Sequence, residues 1–393
     1  MKILHTSDLH LGAKIENLLQ IDQQQAIIDE IVKIANENQI DVVAIAGDVF
    51  HTATPSAQAE DLFYNFLENL TKNNDRVVLV IAGNHDDPKR LQAVEPLAKR
   101  HNIVLCCDLA PLPNFLQGGN ICIEQSGRGF VRIKKGEEKI DIALLPYPAK
   151  SRIEPTLESG DPATSDSYLE NVENWCKICT KNFDRSHFCA LFSHLYLVGA
   201  TDQRNGTKVR VGDSLALPTS VLPDCDYVGV GHLHSMQLVD GTKNTYYSGA
   251  IMKMRLYDSA PQVLIVDTLS KEVLPIKLCS PVDIKEIRAN SIEDATQKIL
   301  AQNKSDILYL TFENVGDLTS QDVKKLRDIH PNIVSIRFEN QTTAQENKTS
   351  TKNLSPEKIF ECFYKFKKGE APSNELVEAF LKLLEETDET ADS

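Results

Sequence analysis

"DVVAIAGD", residues Asp41–Asp48, is a short β-branched apolar run that stops at Gly-Asp. Two further runs are built alike: "KILHTSD" (Lys2–Asp8) and "RVVLVIAGNH" (Arg76–His85). Between them lie "IDQQQAIIDEIVKIANEN" (Ile21–Asn38) and "SAQAEDLFYNFLENLTKNN" (Ser56–Asn74), whose apolar residues recur every three or four positions, the spacing of an amphipathic helix. Strand, helix, strand, helix, strand is the order of a layered α/β domain. "IDIALLPYP", "HFCALFSHL" and "DYVGVGHLH" (Ile140–Pro148, His187–Leu195, Asp226–His234) continue it, each an apolar strand with polar residues at its C-terminal end. Ligands of open α/β sheets gather at those ends, so the chemistry is sought there.

Bulk properties narrow the class. With 393 residues the chain exceeds one ordinary core, and two or three domains are expected. The formal charge of −14 argues against indiscriminate nucleic-acid binding, which needs a basic surface. It leaves room for an enzyme that acts on DNA at one locally positive face. "QRNGTKVR" (Gln203–Arg210), "KMR" (Lys253–Arg255) and "GRGFVRIKK" (Gly127–Lys135) are the basic loops that could supply such a face. The opening MKILHTSDLH has no apolar stretch behind basic residues, and no segment approaches the ~18 apolar residues of a membrane span. Nine cysteines without regular spacing fit a reducing compartment, so the expectation is a cytoplasmic protein with no membrane association.

The polar strand ends are Asp8 and His10, Asp48, Asn84 and His85, His194, and His232 and His234. They offer carboxylate, imidazole and amide but no thiolate, a set suited to manganese, iron or zinc rather than to calcium or an iron–sulfur cluster. Seven ligands (Asp8, His10, Asp48, Asn84, His194, His232, His234) are too many for one ion and suit two. Two ions about 3.5–4 Å apart need a carboxylate between them, and Asp48 stands alone at its strand end. His232 and His234 would share one side of an extended strand; spacing alone leaves open whether they serve one ion, two, or neither. Gly47, Gly83 and Gly231 precede ligands where a Cβ would crowd a tight turn. His85, beside Asn84 but pointed differently, suits a proton donor, and His51 could orient it or meet the phosphate.

The motifs D-x-H, G-D, G-N-H-D, H and G-H-x-H in this order resemble those of the calcineurin-like metallophosphoesterases. "TSDLHLG", "AGDVFHTATPS", "AGNHDDPKR", "YVGVGHLHSMQ" and the tail "LSPEKIFECFYKFKKGEAPSNELVEAF" resemble its branch of DNA-end nucleases over nearly the whole chain. In that branch a Gly-Ser-Pro stretch usually follows the last histidines, where this chain has "YYSGAIMKMRLYD" (Tyr246–Asp258). The resemblance implies an α/β sandwich with a small α/β capping domain and a C-terminal helix pair. It implies one ion on Asp8, His10, Asp48 and His234, a second on Asp48, Asn84, His194 and His232, and His85 as proton donor. Further implications are two divalent ions, manganese first, 3′→5′ exonuclease action on duplex ends and endonuclease cutting of single strands and hairpins. The partners implied are DNA, a second copy in a homodimer, and a coiled-coil ATPase bound through the C-terminal helices.

The expected division is 1–279 for the nuclease domain, 280–340 for a β-α-β-α-β capping domain, 341–354 for a linker and 355–388 for the helix pair. Ser355 and Ser373 are candidate helix caps in the last of these. Competing readings are a phosphodiesterase for small cyclic nucleotides and a non-enzymatic scaffold. "WCKIC" (Trp175–Cys179) sits inside a helical run, so Cys176 and Cys179 are expected on one buried face rather than in a redox or zinc site.

Overall fold

The structure, a computed structural model, describes residues 1–15, 18–115, 119–149, 152, 167–202, 207–208, 216–313, 318–339, 360, 364, 372–373 and 376–377. The expected linker 341–354 lies outside these residues, as do most of the helix pair 355–388 and the loop 203–210 except Thr207 and Lys208. The Leu376 N–H does donate to Ser373 Oγ at 3.3 Å, the cap expected there.

The main elements are β1 (Lys2–Thr6), α1 (Ile21–Glu37), β2 (Val42–Ala46), α2 (Ala57–Thr71), β3 (Val77–Ile81) and β4 (Ile103–Cys106). Then come β5 (Ile121–Gly127), β6 (Phe130–Lys135), β7 (Glu138–Leu145), α3 (Tyr168–Thr180), β8 (Phe188–His194), β9 (Tyr227–Gly231), β10 (Gln237–Asp240) and β11 (Thr245–Tyr247). β12 (Gln262–Asp267) and β13 (Val273–Lys277) return to the first sheet. That six-stranded sheet runs β13-β12-β1-β2-β3-β4, with β1 to β4 parallel. A seven-stranded sheet runs β10-β11-β9-β8-β7-β6-β5, parallel at its centre.

The continuous apolar runs follow from burial on both faces. Ile3, Val42, Ala44, Val77 and Leu79 face Ile140, Ile142, Ala190 and Phe192 of the second sheet. Their alternates, Leu4, Val43, Ile45 and Val78, pack under Ile27, Ile31, Phe63 and Phe66 of α1 and α2. On the far side, Leu191 and Val228 carry Val172, Trp175, Cys176 and Cys179 of α3. The result is the layered α/β sandwich expected from sequence. Cys176 and Cys179 are core residues whose thiols burial pushes up, as the helical spacing implied.

Beyond β13, strand β14 (Ile284–Ala289), α4 (Ile292–Leu300), β15 (Ile307–Glu313), α5 (Ser320–Ile329) and β16 (Ile333–Glu339) form a three-stranded sheet with a core of its own around Leu310, Phe312 and Leu326. Residues 1–338 nevertheless form one compact unit, because Leu278, Val282, Ile284 and Ile307 join the α1/α2 core.

One basic stretch is not a loop. Gly127–Lys135 forms the β5–β6 hairpin, with Arg132 on Asp141 at 2.6 Å and Lys135 on Asp41 at 2.6 Å. Its other two cations are held as well, Lys134 near Glu124 at 3.9 Å and Arg128 on the Leu109 carbonyl at 3.0 Å.

A fully buried guanidinium ties the two outer helices to the sheet. Arg76 donates to the carbonyls of Ile40 (2.9 Å), Leu70 (2.7 Å) and Ala35 (3.1 Å) and to Asn36 Oδ1 (3.0 Å). The Ala35 and Leu70 carbonyls lie in the last turns of α1 and α2, where acceptors lack intrahelical partners and attract a cation. Arg76→Leu is expected to lower the unfolding free energy by about 3 kcal/mol, through buried carbonyls left unpaired. Denaturant midpoints check this, and a change under ~0.5 kcal/mol would contradict it.

Candidate metal centre

The C-terminal ends of β1, β2, β3, β8 and β9 meet at one cleft, lined among others by His10, Asp48, His51, Asn84, His85, His232 and His234. Backbone contacts lock the loops together. The Asp8 N–H donates to the Gly47 carbonyl at 2.9 Å, and the His10 N–H to that of Asp48 at 3.0 Å. The His232 N–H donates to Asp8 Oδ2 at 3.0 Å, and the His85 N–H to Asp48 Oδ1 at 2.9 Å. Asp8, His10, Asp48 and His232 have positive φ (50°, 43°, 51° and 102°), a conformation that non-glycine residues adopt at a cost. The backbone hydrogen bonds across the loops hold these residues in that conformation and so fix the direction of their side chains.

Two glycines make the approach feasible. A Cβ on Gly83 would lie 2.1 Å from Asp48 Oδ1, and one on Gly231 would lie 2.0 Å from the Ala46 carbonyl. The crowding inferred from sequence is present at both.

The side chains form two groups around Asp48. His10 Nε2 and His234 Nε2 stand 3.1 Å apart, with Asp48 Oδ2 3.7 Å and Asp8 Oδ1 4.0 Å from His10 Nε2. On the other side Asn84 Oδ1 lies 3.0 Å from both His194 Nε2 and His232 Nδ1, and Asp48 Oδ1 is 3.5 Å from His194 Nε2. Asp48 thus turns one oxygen to each group. Two ring nitrogens facing each other at 3.1 Å, beside buried carboxylates, make a donor set that fits a cation. Asp8, His10 and His234, and likewise Asp8, Asp48 and His194, bring their ligand atoms within 4.8 Å of one another.

The electrostatics of these side chains agree. Burial favours the neutral acid at Asp48, but the His194 and His10 imidazoles outweigh it and hold the carboxyl far below the usual range. Burial also opposes charge on His194, yet Asp48 overrides it and pushes the imidazole up to about 9. Burial holds His10 well below its ordinary value. The His194 Nδ1–H donates to the Ala46 carbonyl at 2.8 Å, which leaves Nε2 for the site.

His232 and His234 do not share a strand face as expected. β9 ends at Gly231, and the φ of 102° at His232 turns the chain, so His232 points Nδ1 at Asn84 and His234 points Nε2 at His10. The pair therefore straddles Asp48. His85 and His51 form a third group with His10, their ligand atoms within 4.8 Å of one another; the His85 Nδ1–H donates to the His51 carbonyl at 2.9 Å and its ring stacks on that of His51 at 5.9 Å. His51 thus orients His85 through its backbone, while its imidazole lines the cleft.

Supporting residues escaped the sequence reading. Asp86, fully buried and pushed up to about 6 by burial and by Asp48, accepts from the N–H groups of Val49 (3.1 Å), Phe50 (2.9 Å) and Gly83 (2.8 Å). Arg152 donates to the carbonyls of Gly83 and Asp86, both at 2.9 Å. Asp258 lies 3.8 Å from His234 Nδ1. Asp86 was visible inside G-N-H-D as one more acid; its role rests on three N–H partners that no local pattern reveals.

Residues 1–236 match the calcineurin-like phosphoesterase family. The chain belongs to that family. It is also 30% identical to the D subunit of the SbcCD nuclease of Bacillus subtilis (strain 168), over 98% of this chain and 97% of that one. Among solved structures, TT1561 of Thermus thermophilus aligns with a TM-score of 0.38 at 10% identity, over 70% of this phosphoesterase and 98% of that chain. A dimetal phosphatase from Danio rerio aligns with a TM-score of 0.34 at 12% identity, over 71% and 99%. As a phosphoesterase the chain is a hydrolase, and the family implies divalent metal ions, for which the His and Asp groups around Asp48 are the candidates. Among the described residues no helix is long and apolar enough to cross a membrane.

Asp86→Asn keeps size but sets an NH₂ group against backbone N–H donors, so the Asp48 and Asn84 loops lose their common anchor. Manganese affinity measured by calorimetric titration is expected to fall about 10- to 100-fold. An unchanged affinity would remove Asp86 from the design of the site.

Proposed function

We propose that this chain is the nuclease subunit of an SbcCD-type complex, hydrolysing DNA phosphodiesters with two divalent cations, manganese foremost. In this reading it acts 3′→5′ on duplex ends and endonucleolytically on single strands and hairpins, in DNA repair and recombination. A homodimer joined to a coiled-coil, SbcC-type ATPase through residues 355–388 completes the assembly, with 1–279 as nuclease domain, 280–340 as cap and 341–354 as linker. The observation that carries the reading is Asp48, which turns one oxygen to each of two nitrogen and oxygen clusters. The near full-length similarity to a nuclease subunit supports DNA as the substrate.

Asp8, His10, Asp48 and His234 would hold one cation, and Asp48, Asn84, His194 and His232 the other. Bound there, the ions supply neutralisation of the phosphoryl oxygens and a water acidic enough to attack at neutral pH. The rest falls to the chain. The Ala46 carbonyl fixes the tautomer of His194. The His51 carbonyl holds Nδ1–H of His85, so that the imidazolium form presents its Nε2–H to the departing sugar oxygen and is left as the neutral Nδ1–H tautomer. The left-handed backbone at Asp8, His10 and Asp48 pre-sets ligand directions, so little reorganisation accompanies binding.

His85→Ala is expected to lower kcat on a labelled DNA hairpin by roughly 10²–10⁴-fold with manganese occupancy intact. Loss of the metals in this variant would show that His85 is a ligand. Wild-type protein that cuts a cyclic dinucleotide but no DNA, with or without the ATPase, would replace the nuclease reading by a small-molecule phosphodiesterase.

A further inference from the structure

The cleft has a cationic rim that the two clusters do not use. Arg255 and Lys14, both exposed, line it together with His10, Asp48, His85 and His234. Other cations nearby are committed. Lys253 pairs with Asp283 at 2.8 Å, Arg90 pairs with Glu60 at 2.8 Å, and Arg152 is spent on backbone carbonyls. Among the described residues, no hydrogen bond or ion pair holds the Arg255 guanidinium or the Lys14 amine.

Arg255 is held in place by its backbone. The buried Asp258 carboxylate accepts from the N–H groups of Met254 and Arg255, each at 2.9 Å, and the Asp258 N–H returns to the Arg255 carbonyl at 3.2 Å. The same carboxylate lies 3.8 Å from His234 Nδ1, so the turn carrying Arg255 shares an anchor with one of the two clusters. A chain of net charge −14 repels a polyanion, and two cations that have no partner among the described residues offset that repulsion at the mouth of the cleft. Arg adds a planar fork that fits phosphate oxygens bidentately.

We propose that Arg255 and Lys14 form a subsite for a second phosphate, that of the nucleotide next to the scissile diester. The proposal rests on the phosphodiesterase reading above and deepens it: the site prefers a polynucleotide to an isolated phosphodiester. The subsite binds and does not react, so its signature lies in KM and in salt dependence.

The test is steady-state cleavage by the full-length, manganese-loaded chain of a single-stranded oligonucleotide and of bis(p-nitrophenyl) phosphate, which has one phosphate. Arg255→Ala is expected to raise KM for the oligonucleotide about tenfold with kcat within about twofold, and Arg255→Lys to restore part of the loss. The slope of log(kcat/KM) against log[salt] is expected to shrink by about 0.7, the share of one phosphate contact on a single strand. Lys14→Ala shifts the same two readouts, whereas Lys253→Ala, which removes an amine already paired, shifts neither. Equal losses on both substrates would place Arg255 on the reacting phosphate and overturn the subsite, as would an unchanged salt slope. Wild-type protein that cleaves only the small ester would instead overturn the nuclease reading on which the subsite rests.

Discussion

Two buried carboxylates at neighbouring strand ends, Asp8 and Asp48, set the terms for everything around them. Each is almost wholly removed from solvent, and an uncompensated buried anion costs several kcal/mol. The fold answers with a ring of imidazoles: His10 and His234 on one side of Asp48, His194 and His232 on the other. Asp48 pushes the His194 imidazole up to about 9, so the carboxylate and the imidazole favour each other's charge. The same buried carboxylates and imidazoles would hold divalent cations, which would supply positive charge for phosphate chemistry.

That demand explains the scaffold. Parallel strands β1, β2 and β3 in one sheet, with β8 and β9 in the other, deliver their C-terminal ends to one edge of the sandwich. The apolar interface between the sheets fixes the distance across which Asp48 and His194 meet. Gly83 and Gly231 let backbones pass where a single Cβ would collide. Asp86 then ties the loop after β2 to the loop after β3 through three N–H groups.

Much of this was legible in the sequence, because the features concerned are local. Apolar runs of strand length ending in polar residues located the sheets and the cleft, and Asp48, alone at its strand end, is the carboxylate that turns one oxygen to each group. What escaped depends on partners distant along the chain. Gly127–Lys135 reads as a basic loop because its pairing across strands, Arg132 on Asp141 and Lys135 on Asp41, is made only in the folded sheet. The divergence of His232 and His234 follows from one backbone angle that strand periodicity does not foresee. Asp258, Arg152 and Asp86 each support the site through contacts that only the folded chain assembles. The residues expected to form the C-terminal helix pair fall mostly outside those described, and their reading rests on pattern and resemblance.

The central claim is that Asp48 joins two metal positions into one centre. Electron paramagnetic resonance of the manganese-loaded protein tests it directly, since two manganese ions sharing a carboxylate about 3.5–4 Å apart are spin-coupled. Two ions per chain with a coupled spectrum are expected, as is loss of that coupling in Asp48→Asn. Two ions that give only the spectrum of isolated manganese, or a single ion per chain, would contradict it.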